Sequence, residues 1–107
     1  MIQLFRTTPS VSPREAQEKL VDEKTCLVDV RTEEEYAVAH ARNARNIPLG
    51  DIEDSVGSLR GFDGVYVICA TGGRSTRAVS YLLGEGINAF NVNGGTAAWS
   101  REGLPME

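Results

Sequence analysis

Cys69 stands where an apolar run meets a glycine-bearing turn, in Val65-Tyr66-Val67-Ile68-Cys69-Ala70-Thr71-Gly72-Gly73-Arg74-Ser75. A strand that delivers a thiol to the end of a sheet, a turn that aims N–H groups at the sulfur, and a following helix with its positive dipole end together stabilise an anion. Arg74 adds a full charge beside them. A free cysteine titrates near ~8.5 and such surroundings bring it down to roughly 3.5–7.5, so the segment predicts a thiolate nucleophile at neutral pH. The competing role is that of a buried, inert cysteine, the commoner fate of the residue type. The strand-end position and the loop argue against it here. Cys26, inside the apolar run Thr25-Cys26-Leu27-Val28-Asp29-Val30, reads the other way, as core. A disulfide between the two would need neighbouring strands and a close approach.

The residues around the thiol have two readings each. Arg74 is either an ordinary surface arginine or a fork that neutralises Asp29 or Glu35 and holds the loop shut; so short a loop favours the fork. Ser75 is expected to cap the following helix and can also donate to the sulfur. Asp29 reads first as a structural hydrogen-bond acceptor and second as a contributor to catalysis, and Arg31 as a salt-bridging residue or as a contact for an anionic donor. His40, the only histidine, reads as a packed or hydrogen-bonded residue rather than a base. Gly94-Gly95 and Trp99 describe a tight turn feeding a helix whose indole packs over the core.

These groups need elements to hold them. Ser12-Pro13-Arg14-Glu15 is a capping box with proline at the first helical position, followed by an apolar stripe of Ala16, Leu20 and Val21. Thr25 to Val30 reads as a parallel strand buried on both faces. Thr32-Glu33-Glu34-Glu35 is a second capping box, opening a helix that runs toward His40. Asn46-Ile47-Pro48 is extended, and Ile52, Val56 and Leu59 form a weak helical pattern. Val65 to Cys69 is a strand, Thr76 to Leu83 a helix stopped by Gly86, Asn88 to Val92 the last strand, and Thr96 to Arg101 a final short helix. Strands alternating with helices predict an α/β, three-layer domain with a mainly parallel sheet of about four or five strands. Ligands gather at the carboxyl ends of such strands, which places Asp29, Arg31, Cys69 and the Gly94-Gly95 turn on one edge.

The chain has 107 residues, 41% hydrophobic and 24% charged, which fits one globular domain over residues 1–107 and argues against disorder. A formal net charge of -4 argues against a nucleic-acid surface, which leans on clustered Lys and Arg. Two cysteines in separate apolar segments make neither a disulfide framework nor a metal-ligand spacing, as in a reducing cytosol. The opening stretch Met1 to Pro9 lacks the basic start and long apolar run of a secretory signal, and no segment is long enough to cross a bilayer, so cytoplasm is the expected location.

Four residues separate Cys69 from Arg74. A cysteine phosphatase loop is one residue longer, with room for a tetrahedral phosphate, whereas the shorter loop curls closely around the sulfur and suits a terminal sulfur atom carried on it. The segment resembles the active loop of the rhodanese family of sulfurtransferases, Cys-x-x-Gly-x-Arg-Ser/Thr, with Cys69, Gly72, Arg74 and Ser75 in register. The family's upstream signature is matched by Asp29-Val30-Arg31, Glu35-Tyr36, His40, Ala44 and Asn46-Ile47-Pro48, and its downstream signature by Gly94-Gly95, Trp99, Gly103 and Pro105. Ala39, Ala41 and Asn43 depart from the family's Gly, Ile and Gly, which should reshape a turn without touching the thiol.

The resemblance implies a sulfurtransferase that moves a sulfane sulfur from a donor such as thiosulfate to a thiol or cyanide through a persulfide on Cys69. Ala70, Thr71, Gly72, Gly73, Arg74 and Ser75 would form the loop that holds the persulfide, with Asp29 and Arg31 in support. No metal or organic cofactor is implied, nor any nucleic-acid or membrane partner. Ala70 and Thr71 replace the Arg-Ser of many thiosulfate-using relatives, so one cationic contact for a sulfonate is missing. A second reading is a carrier that passes persulfide sulfur to an accepting protein with little small-molecule turnover.

Overall fold

The computed structural model describes residues 8–107. Most of the opening stretch read for a secretory signal therefore lies outside the described residues. The elements are β1 (Ser10–Val11), α1 (Pro13–Lys19), β2 (Thr25–Asp29), α2 (Glu33–Val38), β3 (Arg45–Asn46), a 3-10 turn (Leu49–Asp51), α3 (Ile52–Leu59), β4 (Gly64–Ile68), α4 (Gly73–Gly84), β5 (Ala89–Val92) and α5 (Gly95–Arg101). One five-stranded sheet has the order β1-β5-β4-β2-β3, with every strand pair parallel. This is the expected α/β architecture, at the upper end of the expected strand count. No helix among the described residues is long and apolar enough to cross a membrane.

Both capping boxes form. Ser12 Oγ accepts from the Glu15 N–H at 3.0 Å, and Thr32 Oγ1 from the Glu35 N–H at 3.2 Å. Each supplies one of the first-turn amides with the partner that a helix start otherwise lacks. Val21 departs from expectation: α1 ends at Lys19 and Val21 is 89% exposed, because the chain turns before that residue can rejoin the apolar face. The weak pattern of Ile52, Val56 and Leu59 becomes α3, with all three residues buried.

Alternation along the strands divides the core in two. Cys26, Val28, Val30, Val65, Val67 and Cys69 face one side, where Val56 and Leu59 of α3 and Ala78, Val79 and Leu82 of α4 cover them. Leu27, Tyr66, Ile68 and Val92 face the other, against Ala16 of α1 and Trp99 of α5. The Trp99 indole is fully buried and donates from Nε1 to the Pro105 carbonyl at 2.8 Å, tying down the C-terminal segment. Each fully buried aliphatic chain contributes about 1.5–3 kcal/mol relative to exposure. Truncating Leu59 at the centre of the first layer would cost about 2–5 kcal/mol.

Candidate active site

The side-chain period of two puts Cys69 on the same face as Val65 and Val67, the face covered by α4. The thiol therefore emerges from β4 directly beside the N-terminus of the helix that follows. That helix begins at Gly73, three residues earlier than expected from the sequence. The two glycines read as turn, yet Gly72 is the N-cap, with a φ of 129° that side-chain-bearing residues rarely adopt, and Gly73 is the first helical residue. Ser75 consequently sits inside the first turn. It does not cap the helix, as the sequence suggested; its hydroxyl points inward and contacts the Gly72 carbonyl at 3.1 Å.

This early start aims amides at the sulfur. The Gly72 N–H donates to Cys69 Sγ at 3.0 Å, and the Cys69 thiol donates to Ser75 Oγ at 3.3 Å. Burial opposes ionisation of Cys69, whose residue is 1% exposed, but hydrogen bonding from the Ser75 hydroxyl and from the amides of Ser75, Gly72 and Thr71 outweighs it. The thiol is held below its ordinary value.

The loop is fixed from behind by α5. The carbonyl of Cys69 accepts from the Thr96 N–H at 2.8 Å and from Thr96 Oγ1 at 3.1 Å, and the carbonyl of Ala70 accepts from the Ala97 N–H at 3.2 Å. Two orphan amides of a helix start are thus spent on the two carbonyls that would otherwise be free to turn toward the thiol. Gly95 makes this approach possible: at φ 61°, an added Cβ would sit 2.4 Å from the Cys69 oxygen and 2.5 Å from the Ala70 oxygen. The Gly94-Gly95 turn, read from the sequence only as the entry to a helix, is a packing surface for the loop.

Arg74 grips Glu35 rather than Asp29. Nη1 and Nη2 donate to the two carboxylate oxygens at 2.7 and 3.0 Å, joining α4 to the first turn of α2. The guanidinium hydrogen bonds, together with the Thr32 amide, hold the Glu35 carboxyl down at about 2, and the pairing raises Arg74. Asp29, fully buried, is bound instead by Arg31: Nε lies 3.0 Å from Oδ1 and Nη2 lies 2.8 Å from Oδ2. Arg31 Nη2 also donates to the Ala39 carbonyl at 2.8 Å, and Asn46 Nδ2 to the carbonyls of Asp29 and Arg31, each at 3.0 Å. The pair fastens β2, β3 and the end of α2 beneath the loop.

His40 stacks on Tyr36, with ring centroids 3.7 Å apart, and its Nδ1 lies 2.8 Å from the Tyr36 carbonyl. Its Nε2 lies 3.6 Å from the Glu107 carboxylate. Asn43, where the upstream signature has glycine, adopts a φ of 71°, which asparagine tolerates better than most residues. Cys26 is core: burial pushes its thiol up to about 11. It lies opposite Val65, four residues before Cys69, hence ~13 Å away along the strands, far beyond the ~7 Å limit for a disulfide.

Two polar residues near the thiol went unread in the sequence. One is Thr96, whose role depends on a carbonyl 27 positions earlier. The other is Asn91, 4% exposed, whose Oδ1 lies 2.5 Å from Ser75 Oγ. A polar residue at an inward position of a buried strand was its available signal.

The chain is 34% identical over 91 residues to a sulfurtransferase of Allochromatium vinosum, covering 83% of this chain and 85% of that one. It is 29% identical to the thiosulfate sulfurtransferase GlpE of Actinobacillus pleuropneumoniae, covering 97% of each. Among solved structures, a rhodanese-like domain protein from Staphylococcus aureus superposes with a TM-score of 0.80 at 41% identity, over 92% of this chain and 97% of that one. These likenesses support a place among the sulfurtransferases. The family model for the rhodanese-like domain matches residues 12–102, and the chain belongs to that family.

Proposed function

We propose that the chain is a sulfurtransferase that carries sulfane sulfur as a persulfide on Cys69. The Cys69 thiolate attacks the outer sulfur of the donor; the S–S bond within the donor breaks and its electron pair leaves with the remainder, sulfite in the case of thiosulfate. The product is Cys69 carrying one terminal, anionic sulfur. The amides of Ala70 to Ser75 stabilise that charge much as an oxyanion hole stabilises oxygen. An acceptor nucleophile, cyanide or a thiol, then attacks the terminal sulfur, breaks its bond to Cys69 and returns the thiolate. No net oxidation of the protein occurs.

The observation that carries this reading is the Gly72 N–H directed at Sγ from 3.0 Å, at the start of a 12-residue helix. Ala70 and Thr71 bring no charge to the mouth of the loop, so a donor that lacks a sulfonate should load Cys69 faster than thiosulfate. Steady-state transfer to cyanide, measured with thiosulfate and with a persulfide donor, tests the enzyme directly. Sustained turnover with either donor supports it; a single loading followed by negligible turnover with both supports the carrier instead.

A further inference from the structure

Asn91 lies in β5 opposite Val67 of β4, and its neighbour two residues earlier on the same face is the buried Ala89. Burying an amide at such a position is costly unless it is bonded. Its Oδ1 accepts from Ser75 Oγ at 2.5 Å, and its Nδ2 lies 3.4 Å from Oδ1 of the exposed Asn93. Ser75 Oγ in turn accepts from the Cys69 thiol at 3.3 Å. We infer that Asn91 is a positioning residue for Cys69, its amide letting the Ser75 hydroxyl change from an acceptor for the thiol to a donor for the thiolate.

The argument is one of proton count. A serine hydroxyl has one hydrogen. While Cys69 is protonated, the chain runs from S–H to Oγ, and the one Ser75 hydrogen goes to Asn91 Oδ1 at 2.5 Å in preference to the Gly72 carbonyl at 3.1 Å. Once the thiol proton has gone to water, the sulfur can only accept, and the Ser75 hydrogen must turn toward it. That turn leaves two acceptor oxygens facing each other across 2.5 Å unless Asn91 responds. A half-turn of its amide presents Nδ2 to Ser75 Oγ, and Asn93, free at the surface, can rotate to follow. An amide carries both a donor and an acceptor on a nearly symmetric frame. The same relay serves the terminal sulfur of a persulfide, which is also an acceptor. The charged groups around the loop are Arg74 on α4, Glu35 on α2 and the Asp29–Arg31 pair at the end of β2.

The inference rests on Cys69 being the nucleophile. Persulfide formation in the wild type tests that separately, whereas thiol titration reads the Asn91 effect whether or not sulfur is transferred. The pH midpoint of Cys69 alkylation is measured in Asn91→Asp and Asn91→Leu, each with and without Ser75→Ala. Once ionised, aspartate accepts only, so it should hold the Ser75 hydrogen away from sulfur and raise the midpoint by about one unit or more. Leucine leaves the hydroxyl with only the more distant Gly72 carbonyl as competitor, and the midpoint should fall below the wild-type value. In the Ser75→Ala background the aspartate shift should fall by more than half. An unchanged midpoint in Asn91→Asp, an unchanged or raised midpoint in Asn91→Leu, or an aspartate shift undiminished without the serine hydroxyl overturns the inference. Where the aspartate variant does not fold, Asn91→Leu decides alone.

Discussion

Thr96 donates twice to the carbonyl of Cys69, from its N–H at 2.8 Å and from its hydroxyl at 3.1 Å. That double bond of α5 to the loop faces the Cys69 carbonyl away from the sulfur and leaves the amides that follow facing it. The approach depends on Gly95. In Gly95→Ala the methyl would collide with the Cys69 and Ala70 carbonyls and the residue would be held at φ 61°, a conformation costing about 1–3 kcal/mol for a non-glycine residue before the clash is counted. Urea unfolding should show at least that loss. The alkylation rate of Cys69 in the folded fraction should fall as well, because the amides lose their aim.

Thr96→Val separates the two bonds. It keeps the N–H and removes the hydroxyl, so unfolding should cost about 1 kcal/mol, with the alkylation midpoint within a few tenths of a unit of the wild type. A shift of a full unit would show that the hydroxyl sets the sulfur's field directly.

Arg74 and Glu35 set an acid limb. The folded Glu35 carboxyl lies at about 2, below its ordinary value near ~4.3. Its contribution to stability is therefore complete above ~4.3 and declines as pH falls toward 2. Glu35→Gln keeps the capping box and removes the titration. The stability difference between wild type and Glu35→Gln should shrink steadily over that window and shrink further in high salt, since both side chains are more than a third exposed.

Asp29 and Arg31 should prove structural. Removing one partner of a buried, forked pair typically costs about 3–5 kcal/mol, because the other charge is left unpaired. Asp29→Ala should lose stability of that order by urea unfolding, while its folded fraction still loads sulfur. A well-folded Asp29→Ala protein that cannot load sulfur would move the pair into the chemistry.

Much of this was legible locally. The two capping boxes, the apolar run ending at Cys69 and the arginine after the short loop are patterns of neighbouring residues, and each became the element it implied. Three kinds of feature were not legible. The two-residue strands Ser10–Val11 and Arg45–Asn46 are strands only because Asn91 and Val92, and Val28 and Asp29, pair with them. The start of α4 was misread because Gly72 and Gly73, which punctuate turns elsewhere, here begin the helix. The meaning of Thr96, Asn91 and Gly95 comes from contacts with residues 16 to 27 positions away, which no local pattern carries.

The two thiols should differ sharply. Cys69 is held below its ordinary value and Cys26 is raised to about 11, so native protein at neutral pH should take up one equivalent of alkylating agent and denatured protein two. Rapid uptake of two by the native protein would contradict the raised Cys26 thiol.

Intact mass after exposure to thiosulfate and to other sulfane donors tests the persulfide most directly. The wild type should gain one sulfur atom, removable by cyanide, and Cys69→Ala should gain none. No adduct with any donor, or an adduct that survives in Cys69→Ala, would contradict sulfur transfer through Cys69.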